Sequence, residues 1–188
     1  MDMASTISFI EVKLQHSIVA SGVISRTVFV QGIDVALIQE PWYREDHISD
    51  LNVPGYTLIS ASGVDRPCAC ILTRNEPAWL LPGYSCRDLI AVLIQYNEEG
   101  AERSLVVCSA YLPYDSEDPP PLKELELVRY CKNKNLYLVL GCDSNAHHSA
   151  WGSMNCNRRG EVLMEFLNSS NLGILNRKNA HLLQWWQV

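Results

Sequence analysis

The sequence predicts an α/β (α+β) domain in which mixed or antiparallel β-sheets are covered by helices. Two observations support this fold class. Runs typical of strands are interleaved with segments of helical periodicity, and a hairpin signal at residues 97–100 separates two strands in the middle of the chain. The 188 residues are 47% hydrophobic, which suffices for one sizeable core, and they contain no internal repeat or low-complexity segment.

Six runs of the sequence have the composition of β-strands, being rich in Val, Ile and Leu or alternating between apolar and polar residues. They span residues 8–14, 34–39, 68–73, 89–96, 104–112 and 137–142. The last run is short, apolar and bounded by polar turns, which is typical of a central strand. These runs supply the predicted sheets.

Three segments have helical periodicity. Residues 17–30 carry apolar side chains at positions 19, 23, 24, 28 and 30, although many of them are β-branched. An apolar stripe at positions 122, 125, 128 and 131 follows the proline-rich segment 115–121, which we interpret as a stiff connection within one domain. A third stripe, at positions 162, 163, 166 and 167, ends at the polar residues 168–171.

Charge, hydropathy and cysteine content exclude several classes of protein. The net charge of −6 argues against a chain that binds nucleic acid by bulk electrostatics, but not against an enzyme whose carboxylates hold a metal at a phosphate. The longest clean apolar run, 89–94, is too short to span a membrane, and residues 1–10 show no secretory signal.

The seven cysteines form no CxxC pair, so we expect reduced thiols in the nucleus or cytoplasm. Cys68 and Cys70 have the spacing of half a metal site, but strand alternation explains it more simply.

Polar residues lie where two of the predicted strands end. Glu40 follows the strand 34–39, a position that suits a metal ligand; the alternative is an exposed turn residue. Tyr111 lies at the end of the strand 104–112, where a phenol is able to reach a phosphate. Taken alone, Tyr111 is more typical of a core or boundary residue.

The segment 141–152 carries the densest group of polar residues. Asp143, Asn145, His147 and His148 come within six residues, directly after the strand 137–142. An Asp can orient or deprotonate a water, an Asn can donate to a phosphoryl oxygen, and a His can donate or accept a proton. A solvated turn is the alternative, but two adjacent His followed by Trp are unusual in a turn. The combination of three strand ends that carry a Glu, a Tyr and an Asp-x-Asn is a more specific signal of a functional site than any one of them.

In these motifs the chain resembles the endonuclease/exonuclease/phosphatase superfamily, and more closely the endonuclease domains of jockey-like non-LTR retrotransposons. The matching stretches are DVALIQEPWY (34–43), GYTLISASG (55–63), SAYLPYD (109–115), GCDSNAHHSAWGS (141–153) and FLNSSNLGILN (166–176). The resemblance implies a four-layer α/β/β/α sandwich, two mixed β-sheets flanked by helices, with the site at one edge. It also implies nicking of DNA in the nucleus with Mg²⁺ or Mn²⁺, and a reverse transcriptase partner in the same polyprotein.

Carried over residue by residue, the resemblance assigns a role to each candidate. Glu40 would be the metal ligand, and Tyr111 would contact the phosphate or help to activate it for attack. Asp143 would position and deprotonate the attacking water, Asn145 would hydrogen-bond the scissile phosphate, and His147 would support them. These five residues form the predicted site.

The sequence departs from the family pattern in two places. Lys13 stands where the family has an Asn that helps to bind the metal, and an ammonium cannot ligate a cation. Asp143 is the last aspartate, so the family's late Asp and Ser-Asp-His motif are missing. We therefore expect an incomplete domain over 1–176, with its closing strands missing, and a divergent tail over 177–188, as in a truncated element. The leading hypothesis is a DNA endonuclease impaired by these changes; the alternatives are a catalytically dead remnant that at most binds nucleic acid or a partner, and a phosphatase of small phosphoesters.

Overall fold

The computed structural model describes residues 7–74, 77–98, 100–115, 118–175 and 183–187. Its helices are α1 (Ile18–Gln31), α2 (Leu122–Lys134) and α3 (Arg158–Ser170). Its strands are β1 (Phe9–Lys13), β2 (Val35–Gln39), β3 (Tyr43–Arg44), β4 (His47–Ile48), β5 (Tyr56–Ile59), β6 (Ala69–Arg74), β7 (Ala78–Leu80), β8 (Leu89–Glu98), β9 (Ala101–Tyr111), β10 (Tyr137–Asp143), β11 (Gly173–Ile174) and β12 (Leu183–Gln187). Every predicted strand and helix is confirmed to within a few residues.

The strands form two larger sheets and the small β3–β4 ribbon. The first sheet has the order β1-β2-β6-β5, in which β1 and β2 are parallel and the other pairs are antiparallel. The second has the order β11-β12-β10-β9-β8-β7, in which only β9 and β10 are parallel among the described pairs. The predicted hairpin is the antiparallel pair β8–β9. Both larger sheets are therefore mixed, as predicted.

Three apolar clusters separate four layers of structure. Between the sheets, Leu37 and Ile71 of the first sheet pack with Ile90 and Val107 of the second. A second cluster joins α1 to the outer face of the first sheet. A third joins α2 and α3 to the outer face of the second sheet. This arrangement is the predicted α/β/β/α sandwich, and it covers both faces of each sheet.

Helix α1 buries fewer of its apolar residues than the sequence pattern indicates. Only Ile24 and Val28 of the apolar positions are buried, whereas Val19, Val23 and Val30 are between 61% and 72% exposed. The five apolar positions are spread around the helix, and one face alone contacts the sheet. Capping residues set the two ends of the helix. The Ser17 side chain accepts a hydrogen bond from the Ala20 amide at the start, and Gly32 adopts the left-handed conformation that ends the helix.

The segment 177–188, set apart as a tail by its sequence, contributes a strand to the second sheet. Within it, the backbone of β12 pairs antiparallel with both β10 and β11. β10 is therefore an inner strand, and not the unpaired edge that missing closing strands would leave. The rest of this tail lies outside the described residues. None of the described helices combines the length and the apolar character needed to cross a membrane.

Candidate active site

The ends of four strands meet at one edge of the sandwich. Lys13 ends β1, Glu40 follows the end of β2, Tyr111 ends β9 and Asp143 ends β10. Because β1 runs parallel to β2 and β9 to β10, each pair of carboxyl ends lies side by side. We call Lys13, Glu40, Tyr111 and Asp143 the strand-end cluster.

A buried polar link joins the two sheets behind this cluster. The Gln39 side-chain amide donates to the Ser109 hydroxyl at 3.1 Å, and that hydroxyl donates to the Ile38 carbonyl at 2.9 Å. Gln39 and Ser109 are both fully buried, and the Gln39 amide also lies 3.4 Å from the Gly141 carbonyl, so these polar groups find their partners within the protein. The sequence reasoning missed both residues, although a polar residue within an otherwise apolar strand was a usable signal.

Replacing Ser109 by alanine is expected to lower the free energy of unfolding by about 1–3 kcal/mol, because the Gln39 amide loses its hydroxyl partner at a fully buried site. Urea denaturation of the two proteins measures this difference. Ser104→Ala is the matched control, since Ser104 lies on the same strand and is only partly buried. A Ser109 variant as stable as that control would contradict the role of the link.

Lys13 occupies the centre of the cluster. Its Nζ lies 2.6 Å from Asp143 Oδ2 and 3.4 Å from Glu40 Oε2. The Lys13 side chain is 24% exposed, Glu40 is 13% and Asp143 only 3%, so the ion pairs are largely shielded from water. Burial of the ammonium acts to lower the pKa of Lys13, but the hydrogen bond to Asp143 and the charges of Asp143 and Glu40 outweigh it, and the pKa is raised.

Tyr111 contacts the same charged groups. The Lys13 Nζ lies 5.7 Å from the centre of its ring, within the range of a cation–π interaction. Burial raises the pKa of the Tyr111 phenol, and the charge of Glu40 and its hydrogen bond to the phenol raise that pKa further. Tyr111 is therefore a neutral hydrogen-bonding group at physiological pH.

The backbone holds Glu40 in a conformation that is rare for a residue with a side chain. Its φ is +48°, in the left-handed region. Its amide donates to the Cys68 carbonyl at 2.8 Å, and its carbonyl accepts from the His16 amide at 2.9 Å. These two bonds fix the turn, so the carboxylate at the end of β2 is positioned by the folded sheet.

Asn145 and His147 lie in the loop after β10. The Asn145 amide donates to the Leu112 carbonyl at 3.0 Å, directly after Tyr111. The His147 ring Nδ1 lies 2.8 Å from Asn155 Oδ1, and its backbone amide donates to Asn157. The structure thus brings Lys13, Glu40, Tyr111 and Asp143 together, holds Asn145 beside them, and gives His147 other partners.

Residues deeper in the fold support this loop. Trp151 is fully buried and donates through its indole nitrogen to the Ala146 carbonyl at 3.2 Å. Arg159, a buried residue of α3, donates through Nη2 to the Ser144 carbonyl at 3.4 Å. Arg159 was also missed, because an Arg at the start of a helix is ordinarily exposed. These contacts fix the loop after β10, which carries Asn145 and follows directly on Asp143.

The donor groups of the cluster do not fit a divalent cation as they stand. The described residues contain no group of three or more His, Cys, Asp and Glu side chains arranged to hold a metal ion. Between the two available carboxylates lies the Lys13 ammonium, which has donors but no lone pair. A divalent ion would have to displace it. Cys68 and Cys70 likewise belong to no metal-binding group among the described residues, so the half-site interpretation finds no support there.

The chain is similar to nucleases and phosphatases of known structure. Residues 105–188 match the family model described as "Endonuclease-reverse transcriptase". An endonuclease/exonuclease/phosphatase family protein from Bacteroides thetaiotaomicron superposes with a TM-score of 0.61 at 13% identity, over 92% of this chain and 72% of that chain. This chain has the endonuclease/exonuclease/phosphatase fold. No curated protein matches its sequence.

Two further solved structures share the endonuclease/exonuclease/phosphatase fold. The endonuclease domain of TRAS1, a telomere-specific non-LTR retrotransposon, has a TM-score of 0.73 at 21% identity and covers 94% of this chain and 83% of that chain. A mannosyl-6-phosphatase of Bacteroides thetaiotaomicron has a TM-score of 0.56 at 14% identity, over 88% of this chain and 76% of that chain. At these identities the likeness establishes the fold, which serves both nucleases and phosphatases.

Proposed function

We propose that this chain is a DNA endonuclease domain of the retrotransposon type, whose strand-end cluster binds the phosphodiester backbone and hydrolyses it slowly. The observation that carries the proposal is the convergence of Glu40, Tyr111 and Asp143 at one edge of the sandwich, with Asn145 beside them. The similarity to the TRAS1 endonuclease domain supports DNA as the substrate. Action on DNA would take place in the nucleus, with a reverse transcriptase as the partner enzyme.

Each residue of the site has a chemical role in this proposal. The Asp143 carboxylate is held by Lys13 and accepts a proton from the attacking water. The Asn145 amide donates to a phosphoryl oxygen, where negative charge develops, through the N–H that Leu112 does not engage. The Tyr111 phenol donates a second hydrogen bond there once its O–H turns away from Glu40. His147, held by Asn155, shapes the loop that carries Asn145.

Mg²⁺ or Mn²⁺ is the ion that the resemblance implies, with Glu40 as its ligand. Lys13 lies in the position that the resemblance assigns to a second metal ligand, and it engages both carboxylates. Because the Lys13 ammonium engages the carboxylates that would hold the ion, we expect the hydrolysis to be slow. The same contact favours a second candidate function, a non-catalytic domain that at most binds nucleic acid.

The experiment that tests the proposal is nicking of supercoiled plasmid DNA at high Mg²⁺. The full chain is compared with Glu40→Ala and Asp143→Ala, and Glu126→Ala serves as the control because Glu126 is exposed on α2. We expect slow nicking by the chain and the control, and a loss of about 100-fold or more in both site variants. A small phosphomonoester in parallel reports phosphatase activity.

Equal nicking by the chain and both site variants, in folded samples, would overturn the endonuclease proposal. Binding of the same DNA in a gel-shift assay would then support the non-catalytic candidate. Hydrolysis of the phosphomonoester alone, lost in the Asp143 variant, would assign the site to a phosphatase and contradict DNA as the substrate.

A further inference from the structure

Lys13 connects carboxylates that belong to different sheets. Lys13 and Glu40 lie at the edge of the first sheet, and Asp143 ends a strand of the second. Its ammonium is within ion-pair distance of both, at 3.4 Å from Glu40 and 2.6 Å from Asp143. The strand ends of the two sheets are thus joined at this edge through one positive charge.

We infer that the Lys13 ammonium is a built-in cation, which holds Glu40 and Asp143 together in place of a divalent metal ion. Two carboxylates brought together at a shielded edge require a compensating positive charge. Here the polypeptide supplies that charge itself, and the Tyr111 ring beside the ammonium adds a further favourable contact. The strand-end cluster is therefore assembled without metal.

A built-in cation has a consequence for metal affinity. A divalent ion that enters the cluster must displace the ammonium from both carboxylates and then lies beside it, so the two positive charges repel each other. Mg²⁺ and Mn²⁺ need oxygen ligands, and the Lys13 ammonium already engages a carboxylate oxygen of Glu40 and one of Asp143. The native chain should therefore bind divalent ions weakly, although its carboxylates are in place.

Calorimetric titration of the full chain with Mn²⁺ tests the inference. The native chain is expected to bind with a dissociation constant weaker than about 1 mM. Lys13→Asn removes the ammonium and adds an amide oxygen, and we expect at least about tenfold tighter binding. In that background, Glu40→Ala should abolish the gain. Native binding in the micromolar range that is lost in Glu40→Ala would overturn the inference, and this outcome needs no Lys13 variant to fold.

Thermal unfolding supplies a second readout, independent of activity. In EDTA, Lys13→Met should melt below the native chain because its carboxylates lose their counter-charge, and Lys13→Arg should restore most of the loss. Mn²⁺ should raise the melting temperature of Lys13→Asn and leave the native chain unchanged. Lys134→Asn, at an exposed site on α2, is the control. A Lys13→Met protein as stable as the native chain would contradict the built-in cation.

The inference concerns the site of the proposed function and rests on it only for the choice of ion. Its measurements use neither DNA nor hydrolysis, so the two can fail separately. Weak native binding of Mn²⁺ together with no nicking would support the built-in cation and overturn the endonuclease. Tight native binding of Mn²⁺ together with nicking would overturn the built-in cation and support the endonuclease.

Discussion

Gly160→Ala is expected to lower the free energy of unfolding by about 3 kcal/mol, because a side chain at this position has no space. A Cβ built on Gly160 would lie 2.0 Å from the His147 carbonyl oxygen and 2.6 Å from its carbon. Both are backbone atoms of the loop that carries Asn145, and that carbonyl also accepts a hydrogen bond from the Asn157 amide. The substitution must therefore separate this loop from the start of α3.

Gly22→Ala is the matched control for this prediction. Gly22 lies within α1 and is exposed, and a Cβ added there would meet no atom within 4 Å apart from its own helix and chain neighbours. Alanine should raise the free energy of unfolding there by about 0.5–1 kcal/mol, because it restricts the unfolded chain. Urea denaturation of both variants gives the two values. Equal effects at the two positions would contradict the close approach of α3 and the loop.

Glu124→Gln is expected to make the protein more stable at alkaline pH. Glu124 is fully buried at the start of α2, and neither carboxyl oxygen has a hydrogen-bond partner among the described residues. Burial raises the pKa of Glu124 from 4.5 to about 8. The titratable thiols of Cys108 and Cys142 lie near enough for the charge of Glu124 to raise the pKa of each. The folded protein therefore holds Glu124 protonated at neutral pH.

The sign of the pH effect follows from this raised pKa. Above pH 4.5 the unfolded chain ionises Glu124, whereas the folded chain keeps the proton until about pH 8. The contribution of Glu124 to the free energy of unfolding is therefore fully present below pH 4.5, and it is lost as the pH rises to about 8, by about 5 kcal/mol in total. Glu124→Gln should not show this component, and Glu126→Gln, on the exposed side of α2, should keep it. Parallel pH dependences of the native chain and Glu124→Gln would contradict the buried carboxyl.

Local sequence predicts much of this fold because its signals lie within a few residues of one another. The apolar run of β10 and the polar residues after Asp143 are adjacent in the chain, so a strand that ends in a polar loop can be read directly. The same holds for Glu40 after β2. Helix α1 is different, because five apolar positions distributed around a helix do not say which of them face the sheet. Only packing selects Ile24 and Val28.

Partners that are distant in the chain could not be predicted in this way. The Gln39–Ser109 link depends on how the two sheets pack on each other, and nothing in the local pattern of either strand specifies it. The pairing of β12 with β10 likewise depends on a free strand edge that exists only in the assembled sheet. The Gln39–Ser109 link lies next to Glu40 in the chain, and β12 pairs with β10 as far as Cys142, the residue before Asp143.

By itself, the sequence determined the α/β class, the strand ends that carry Glu40, Tyr111 and Asp143, and the presence of Lys13 where the resemblance leads one to expect an Asn. The tertiary structure decided what Lys13 does. Its ammonium contacts Glu40 and Asp143 only because the packing of the two sheets brings the carboxyl ends of the parallel pairs β1–β2 and β9–β10 to the same edge. Charge interaction falls off with distance, so a lysine acquires such a role only when folding places it within a few ångströms of both carboxylates.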